Sequence, residues 1–188
     1  MPVIDASASR SLALTLIAEH YAARGRDLLA GGFTIQALAE RFGTPLYIYD
    51  AEAMRRSFMA LKIALSGFAS IVYSIKANPN PAVARIFVDL GAGIEIASAG
   101  EYERARQAGV APEAILFAGP GKRDDELSHV VQNGIGEIHL ESLEEMMRLD
   151  AIAARAGARV AVSLRINPVS AAQGGAMRMG GKASPFGF

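Results

Sequence analysis

The sequence predicts an α/β fold, specifically the first part of a (β/α)8 barrel. Short β-branched runs begin at roughly 21–24-residue intervals, about the length of one compact βα unit. Helical stretches separate the runs, and such repetition predicts a parallel sheet with right-handed crossovers. An open doubly wound sheet is the alternative. We favour the barrel because the glycine-rich dinucleotide motif is missing after the early strands, and Gly91-Ala92-Gly93 precedes its strand instead.

The first fifty residues predict helices and one strand before the barrel. Apolar side chains at helical spacing indicate a helix over residues 10–24. A second helix is predicted from Ile35 to Arg41, with Thr34 as its N-cap. Leu46 to Tyr49 has the composition of a strand, and Asp50 is placed to cap a helix that runs through Phe58 and Leu61.

Five βα units are predicted after residue 70. Glycines follow the helices, as helix C-termini prefer. A complete barrel takes about 250 residues, so we expect this chain to end within the fold, in a glycine-rich loop over 169–188. The predicted strands lie at 71–73, 94–96, 115–117, 137–140 and 160–162, and the helices at 81–90, 99–108, 124–132 and 142–156.

Composition excludes several classes of function. Hydrophobic residues make up 51% of the chain, which argues against disorder. The 19 basic and 19 acidic side chains cancel, so neither nucleic acid nor a membrane surface is an expected partner. There is no cysteine, and the three histidines have no metal-ligand spacing, so we expect no metal. The apolar run at 11–18 is soon followed by charged residues, which indicates an amphipathic helix and a cytoplasmic protein.

Lys76 is the first candidate for chemistry. It follows an apolar strand, at the edge where barrel enzymes build their active sites. An amine partly shielded from water at such a position can attack a carbonyl carbon. Of the four lysines, only Lys76 directly ends an apolar strand. The alternative is a surface lysine whose ammonium group lies in water.

Five ordered segments over residues 34 to 188 carry a family resemblance. The first is Tyr73-Ser74-Ile75-Lys76-Ala77-Asn78-Pro79-Asn80, and the others span residues 90–101, 115–122, 138–142 and 164–168. Together they resemble the N-terminal portion of the fold-type III pyridoxal-phosphate-dependent decarboxylases, the group that contains diaminopimelate and ornithine decarboxylases and shares its barrel with alanine racemase. The first segment resembles the Schiff-base region of that family.

The resemblance implies a cofactor and a site. Lys76 would hold pyridoxal 5'-phosphate as a Schiff base and act in catalysis. Glu95, where the family usually has aspartate, would contact the cofactor or Lys76, and Arg165 would orient the cofactor ring. The alternative that Arg165 only forms a structural salt bridge remains open. Ser98 with Glu101, and Ser142 with Glu145, form S-x-x-E capping boxes that helix initiation explains. We interpret His139 as a packed core histidine.

The resemblance also implies a larger assembly. Residues 1–49 would pack with a C-terminal β-domain, and 50–188 would be the first part of the cofactor-binding barrel. The phosphate-binding loop and the partner of the pyridine nitrogen lie later in the family sequence, as does the β-domain, which acts across a homodimer interface. We therefore expect these 188 residues alone to be inactive.

The substrate remains open between two kinds of amino acid. Ser184-Pro185-Phe186-Gly187 replaces the Ser-Lys-Phe-Gly that is usual in the diaminopimelate branch, and the preceding Met177-Arg178-Met179 run resembles an exosortase-associated or carrier-protein-linked branch. The resemblance thus implies decarboxylation of a diaminopimelate- or ornithine-like amino acid, or of a carrier-bound one. The alternatives are an amino-acid racemase on the same barrel, which Lys76-Ala77-Asn78-Pro79 disfavours, and a non-catalytic regulatory homologue.

Overall fold

The computed structural model describes residue 12, residues 14–15, residues 17–168 and residues 184–188. The chain falls into two compact units, of which the first ends at Ala64 and the second begins at Leu65. The division after residue 49, drawn from the resemblance, follows the family's domain organisation and stays a prediction.

The first unit contains a small antiparallel sheet that the sequence did not predict. Strands β1 (Ala23–Arg24), β2 (Asp27–Ala30) and β3 (Phe33–Thr34) pair in that order. The helix predicted over 10–24 ends at residue 20. It is shorter because the chain turns at Gly25, whose φ of 64° suits glycine, and pairs Arg24 with Asp27. Several residues of the predicted helix (10, 11, 13 and 16) lie outside the described part.

The prediction of a strand from Leu46 to Tyr49 is wrong. These residues belong to no helix or sheet, and Tyr47 is 86% exposed. Their aromatic and β-branched side chains favour a strand, but a strand forms only where a neighbouring backbone completes its hydrogen bonds. No described segment does so here.

Two predicted helix caps in this unit are confirmed. Helix α1 (Ile35–Phe42) begins after Thr34, whose Oγ1 accepts a hydrogen bond from the Ala37 amide at 3.1 Å. Helix α2 (Ala51–Ala64) begins after Asp50, whose Oδ1 accepts from the amides of Glu52 and Ala53 at 2.8 and 3.0 Å. Both side chains satisfy amide donors that the first helical turn leaves unpaired.

The second unit is the predicted run of βα units. Its five strands are parallel and pair in sequence order, and each predicted strand and helix is found within two residues of its predicted bounds. The strands are β4 (Val72–Ser74), β5 (Gly93–Ile96), β6 (Ile115–Phe117), β7 (Glu137–Leu140) and β8 (Ala161–Leu164). The helices are α3 (Pro81–Asp89), α4 (Ala99–Gln107), α5 (Asp124–Gln132) and α6 (Leu143–Ala156).

The core lies between this sheet and its helices. Alternate strand residues, such as Ile94 and Ile96 on β5, are fully buried and pack against helix residues such as Leu127 and Val130. Each such side chain stabilises the fold by about 1.5–3 kcal/mol. The other residues of β5, β6 and β7 (Glu95, Glu137 and His139 among them) are only half-buried, on the opposite face of the sheet. The polar groups of the strands therefore share the face that would line a barrel.

Close backbone approach fixes one glycine just before β7. A Cβ at Gly136 would lie 2.1 Å from the carbonyl oxygen of Glu113, so no other residue fits without moving the chain.

No helix in the described part of the chain combines the length and apolar character needed to cross a membrane.

Candidate functional site

A cavity of about 510 Å³ lies at the carboxyl edge of the five-stranded sheet. Parallel strands end at the same edge, so residues from distant positions in the sequence converge there. The volume is in the range of pockets that bind small molecules. The lining residues are Lys76, Glu95, Ala97, Ala118, Gly119, His139, Ser163, Leu164, Arg165 and Phe186.

Lys76 and Glu95 lie together in this cavity. Lys76 is in a 3-10 turn that directly follows β4, and its Nζ is 3.7 Å from Glu95 Oε1. Ser74 pairs with Glu95 across the two strands, and its hydroxyl donates to the same carboxylate oxygen at 3.0 Å. The strand register therefore brings an amine and a carboxylate to one point of the rim.

The shielding from water expected for Lys76 is not found in the described part of the chain. Its side chain is 67% exposed. Five strands make up only part of the eight-stranded wall of a barrel. Lys76 follows β4, at one edge of this sheet, so only one neighbouring strand flanks it.

Arg165 lines the same cavity but pairs with a different acid. It follows β8, and its Nη1 donates to the two oxygens of Glu141 at 3.0 and 3.3 Å. Its guanidinium also lies over the ring of Phe186, 4.9 Å from the ring centroid. The salt bridge weighed as an alternative from sequence is therefore present, in a residue that also faces the cavity.

His139 is not the packed core residue predicted from the sequence. It lies on β7 among the half-buried side chains and lines the cavity. Its Nε2 is 3.3 Å from Glu137 Oε1, which also accepts a hydrogen bond from the Ser163 hydroxyl. The prediction failed because alternation along β7 buries Ile138 and Leu140 and turns His139 to the other face.

Sequence reasoning missed a buried ionic network that contacts three cavity-lining residues, Gly119, His139 and Arg165. Glu141 accepts hydrogen bonds from the amides of Gly119 and Gly187 at 2.8 and 3.0 Å, besides its pair with Arg165. Lys122 is fully buried, and its ammonium donates to Glu145 Oε1 and to the carbonyls of Gly119 and His139 at 2.6–2.7 Å. The sequence held one signal for Glu141: it directly follows β7, at the strand edge where active sites form.

The two capping boxes have the predicted structural role, with one addition. Ser98 and Ser142 accept from the amides of Glu101 and Glu145 at 3.2 and 3.1 Å. Both glutamates reach back one residue further than in the standard motif. Glu101 accepts a hydrogen bond from the Ala97 amide, and Glu145 accepts one from the Glu141 amide. Glu145 also neutralises Lys122, which the sequence pattern did not indicate.

The residues of the cavity suit pyridoxal phosphate. Lys76 offers an amine for an aldehyde, Glu95 a carboxylate beside it, and Arg165 a permanent cation for an anionic oxygen. The described residues contain no group of three or more His, Cys, Asp or Glu side chains that could hold a metal ion. An amine, a carboxylate and a guanidinium that line one cavity are groups that can hold an organic cofactor with an aldehyde and an anionic oxygen.

Comparison with known proteins identifies the family. Residues 51–188 match the family described as pyridoxal-dependent decarboxylase, pyridoxal binding domain. The chain belongs to this family, as the resemblance in the sequence predicted.

Individual relatives agree with this family. Diaminopimelate decarboxylase of Pseudomonas aeruginosa is 39% identical over 146 residues, covering 77% of this chain and 35% of the relative. L-glutamyl-[BtrI acyl-carrier protein] decarboxylase of Niallia circulans is 39% identical over 154 residues, covering 82% and 36%. The crystal structure of Helicobacter pylori diaminopimelate decarboxylase with L-lysine superimposes with a TM-score of 0.74 at 32% identity, covering 81% and 39%. The chain spans little more than a third of these relatives.

Proposed function

We propose that the protein carrying this chain is a pyridoxal-phosphate-dependent amino-acid decarboxylase and that Lys76 is its Schiff-base lysine. The observation that carries the proposal is the position of Lys76, whose amine lies at the cavity rim 3.7 Å from Glu95. Family membership supports the cofactor, and the relatives named above support the reaction.

Each polar residue of the cavity would have its own role in binding and catalysis. Glu95 holds the Lys76 ammonium near the rim, and the Ser74 hydroxyl fixes the orientation of the Glu95 carboxylate. Arg165, which also lines the cavity, offers N–H donors to an anionic oxygen. When bound, pyridoxal phosphate supplies the electron-withdrawing ring that lowers the barrier to loss of the α-carboxylate. Lys76 or a neighbouring acid would then return a proton to the substrate carbon.

The wider organisation is also proposed from the family. Residues 1–49 would pack with a β-domain, and 50–188 would form the first part of the barrel in a cytoplasmic homodimer. Analytical ultracentrifugation of the full protein tests the dimer, and a monomer at all concentrations would contradict it.

Two substrate classes have specific support. Diaminopimelate decarboxylases are among the relatives, which favours a free basic or dibasic amino acid. The carrier-protein relative is equally similar and favours an amino acid attached to a carrier. Assaying the full protein for CO2 release with meso-diaminopimelate, ornithine and a carrier-linked glutamyl substrate would separate the classes. A racemase would invert an amino acid without CO2, and a regulatory homologue would convert none of them.

Replacement of Lys76 tests the cofactor assignment. The full protein with pyridoxal phosphate should show a visible absorption band, because the amine condenses with the cofactor aldehyde. Lys76→Ala should remove that band and lower kcat by at least about 10²-fold, since Lys76 would also move a proton.

Lys62→Ala is the matched control, because Lys62 lies on α2 in the other compact unit. It should leave both the band and kcat unchanged. A Lys76→Ala protein that keeps the band of the wild type would refute the assignment.

A further inference from the structure

Glu141 gathers three hydrogen-bond donors from three separate places in the second unit. Its side chain is only 2% exposed, and it accepts from Gly119 after β6, from Arg165 after β8 and from Gly187 in segment 184–188. A buried carboxylate is stable only when charge and hydrogen bonds replace the water it has lost. Glu141 therefore constrains each of the groups that it binds.

Glu145 is a second buried acid of the same network, but its side chain forms no hydrogen bond or ion pair with a described side chain that lines the cavity. Glu145 Oε1 pairs with Lys122, and Glu145 Oε2 accepts from the Glu141 amide at 2.7 Å. Glu145 is as deeply buried as Glu141, but its recorded contacts are with Lys122 and with backbone at the start of α6. Only Glu141 reaches Arg165 and Gly187.

The contact with Glu141 determines how Arg165 meets the cavity. A guanidinium is planar and carries five N–H donors in fixed directions, so holding Nη1 limits the plane of the whole group. The guanidinium also lies over the ring of Phe186, which is a second contact that limits its position. The side chain is 35% exposed and lines the cavity wall, so its remaining edge is available there.

We propose that Glu141 is a positioning residue for the cofactor, which acts by holding Arg165 and the Phe186-Gly187 segment at the cavity wall. This inference rests on the proposed function. The carboxylate is required because each of its recorded partners is a donor, whereas a glutamine would turn an NH2 group toward one of them. The backbone pairing of Phe188 with Arg165, at 2.8 Å, then keeps the segment beside the strand end.

The test compares two isosteric variants of the full protein, Glu141→Gln and Glu145→Gln. Cofactor affinity is measured by titrating the apoprotein with pyridoxal phosphate and following the visible band, and the melting temperature is measured without cofactor. Both variants should lower the melting temperature. Only Glu141→Gln should weaken cofactor affinity, by about tenfold or more. Equal losses of affinity in the two variants, or no loss in Glu141→Gln, would overturn the inference.

A double-mutant cycle with Arg165→Gln provides a readout that general destabilisation would not change. If Glu141 acts through Arg165, Glu141→Gln should cost little further affinity once Arg165 is replaced. Additive losses would contradict positioning. Should Glu141→Gln not fold, Glu141→Asp, which keeps the charge and is one methylene shorter, should give a smaller loss of affinity and decides the question.

The outcomes also distinguish this inference from the proposed function. A full protein that binds no pyridoxal phosphate, or that keeps its band without Lys76, refutes the function itself. A protein that depends on Lys76 but tolerates Glu141→Gln refutes only the role of Glu141.

Discussion

Lys122 is a buried cation whose three acceptors lie after β6, on β7 and on α6. It binds the carbonyls of Gly119 and His139 and the carboxylate of Glu145, and its ammonium is 5.6 Å from the centroid of the Phe117 ring. The two carbonyls belong to backbone after β6 and on β7. Lys122 thus ties these two strands to α6 within the buried part of the unit and does not line the cavity.

Removing this cation should be more costly than removing the whole ion pair. Lys122→Ala leaves Glu145 charged and buried without a counter-ion, and we expect a loss of about 3–5 kcal/mol in the free energy of unfolding. Lys122→Met combined with Glu145→Leu should lose less, because no uncompensated charge remains. Urea denaturation of the full protein measures both values. A double variant less stable than Lys122→Ala would show that the ion pair itself stabilises the fold.

At the scale of elements, the repeated βα pattern was predictable and the isolated strand was not. Three of the βα units contain a full set of local signals: a β-branched run, a capping residue such as Ser142, and a glycine after the helix such as Gly157. Leu46 to Tyr49 had strand propensity but no partner, and pairing is a property of the whole sheet. The cavity residues divided in the same way, since Lys76 had a motif while His139 and Lys122 depended on which face the fold buries.

The cap of α2 provides a pH-dependent test at this scale. The Gly31 amide, at 2.8 Å, and the Ala53 amide lower the pKa of Asp50 below 3.8. A carboxyl whose pKa is lower in the folded state stabilises that state above its unfolded pKa and loses this effect as pH falls through the folded pKa. Asp50→Ala should cost about 1 kcal/mol near neutral pH.

The control for this test is Thr34→Ala, which removes an uncharged cap from α1. The stability difference between wild type and Asp50→Ala should be constant above about pH 5 and shrink below pH 3.8, the unfolded value. The Thr34→Ala difference should show no such decline. Equal pH dependence in the two variants would mean that the Asp50 charge contributes nothing to the cap.

At the scale of the whole molecule, β8 differs from the other strands of its sheet. It pairs with β7 alone among the described residues, and all four of its residues are exposed. Val162 and Leu164 expose apolar side chains beside the open edge of β8, whereas the backbone of Phe188 pairs with Arg165 and Asn167 just beyond the strand. In a complete barrel such a strand lies between two neighbours.

An open apolar edge of this kind predicts self-association of the 188-residue chain when it is expressed by itself. Unpaired strand edges recruit other strands, and charged side chains on them prevent this. We expect size-exclusion chromatography with light scattering to show oligomers that grow with concentration. Val162→Lys should reduce them, because the lysine places a charge on the apolar surface of β8. Met59→Lys, an exposed change on α2, should not. A chain that stays monomeric at every concentration would show that the exposed face of β8 does not drive association.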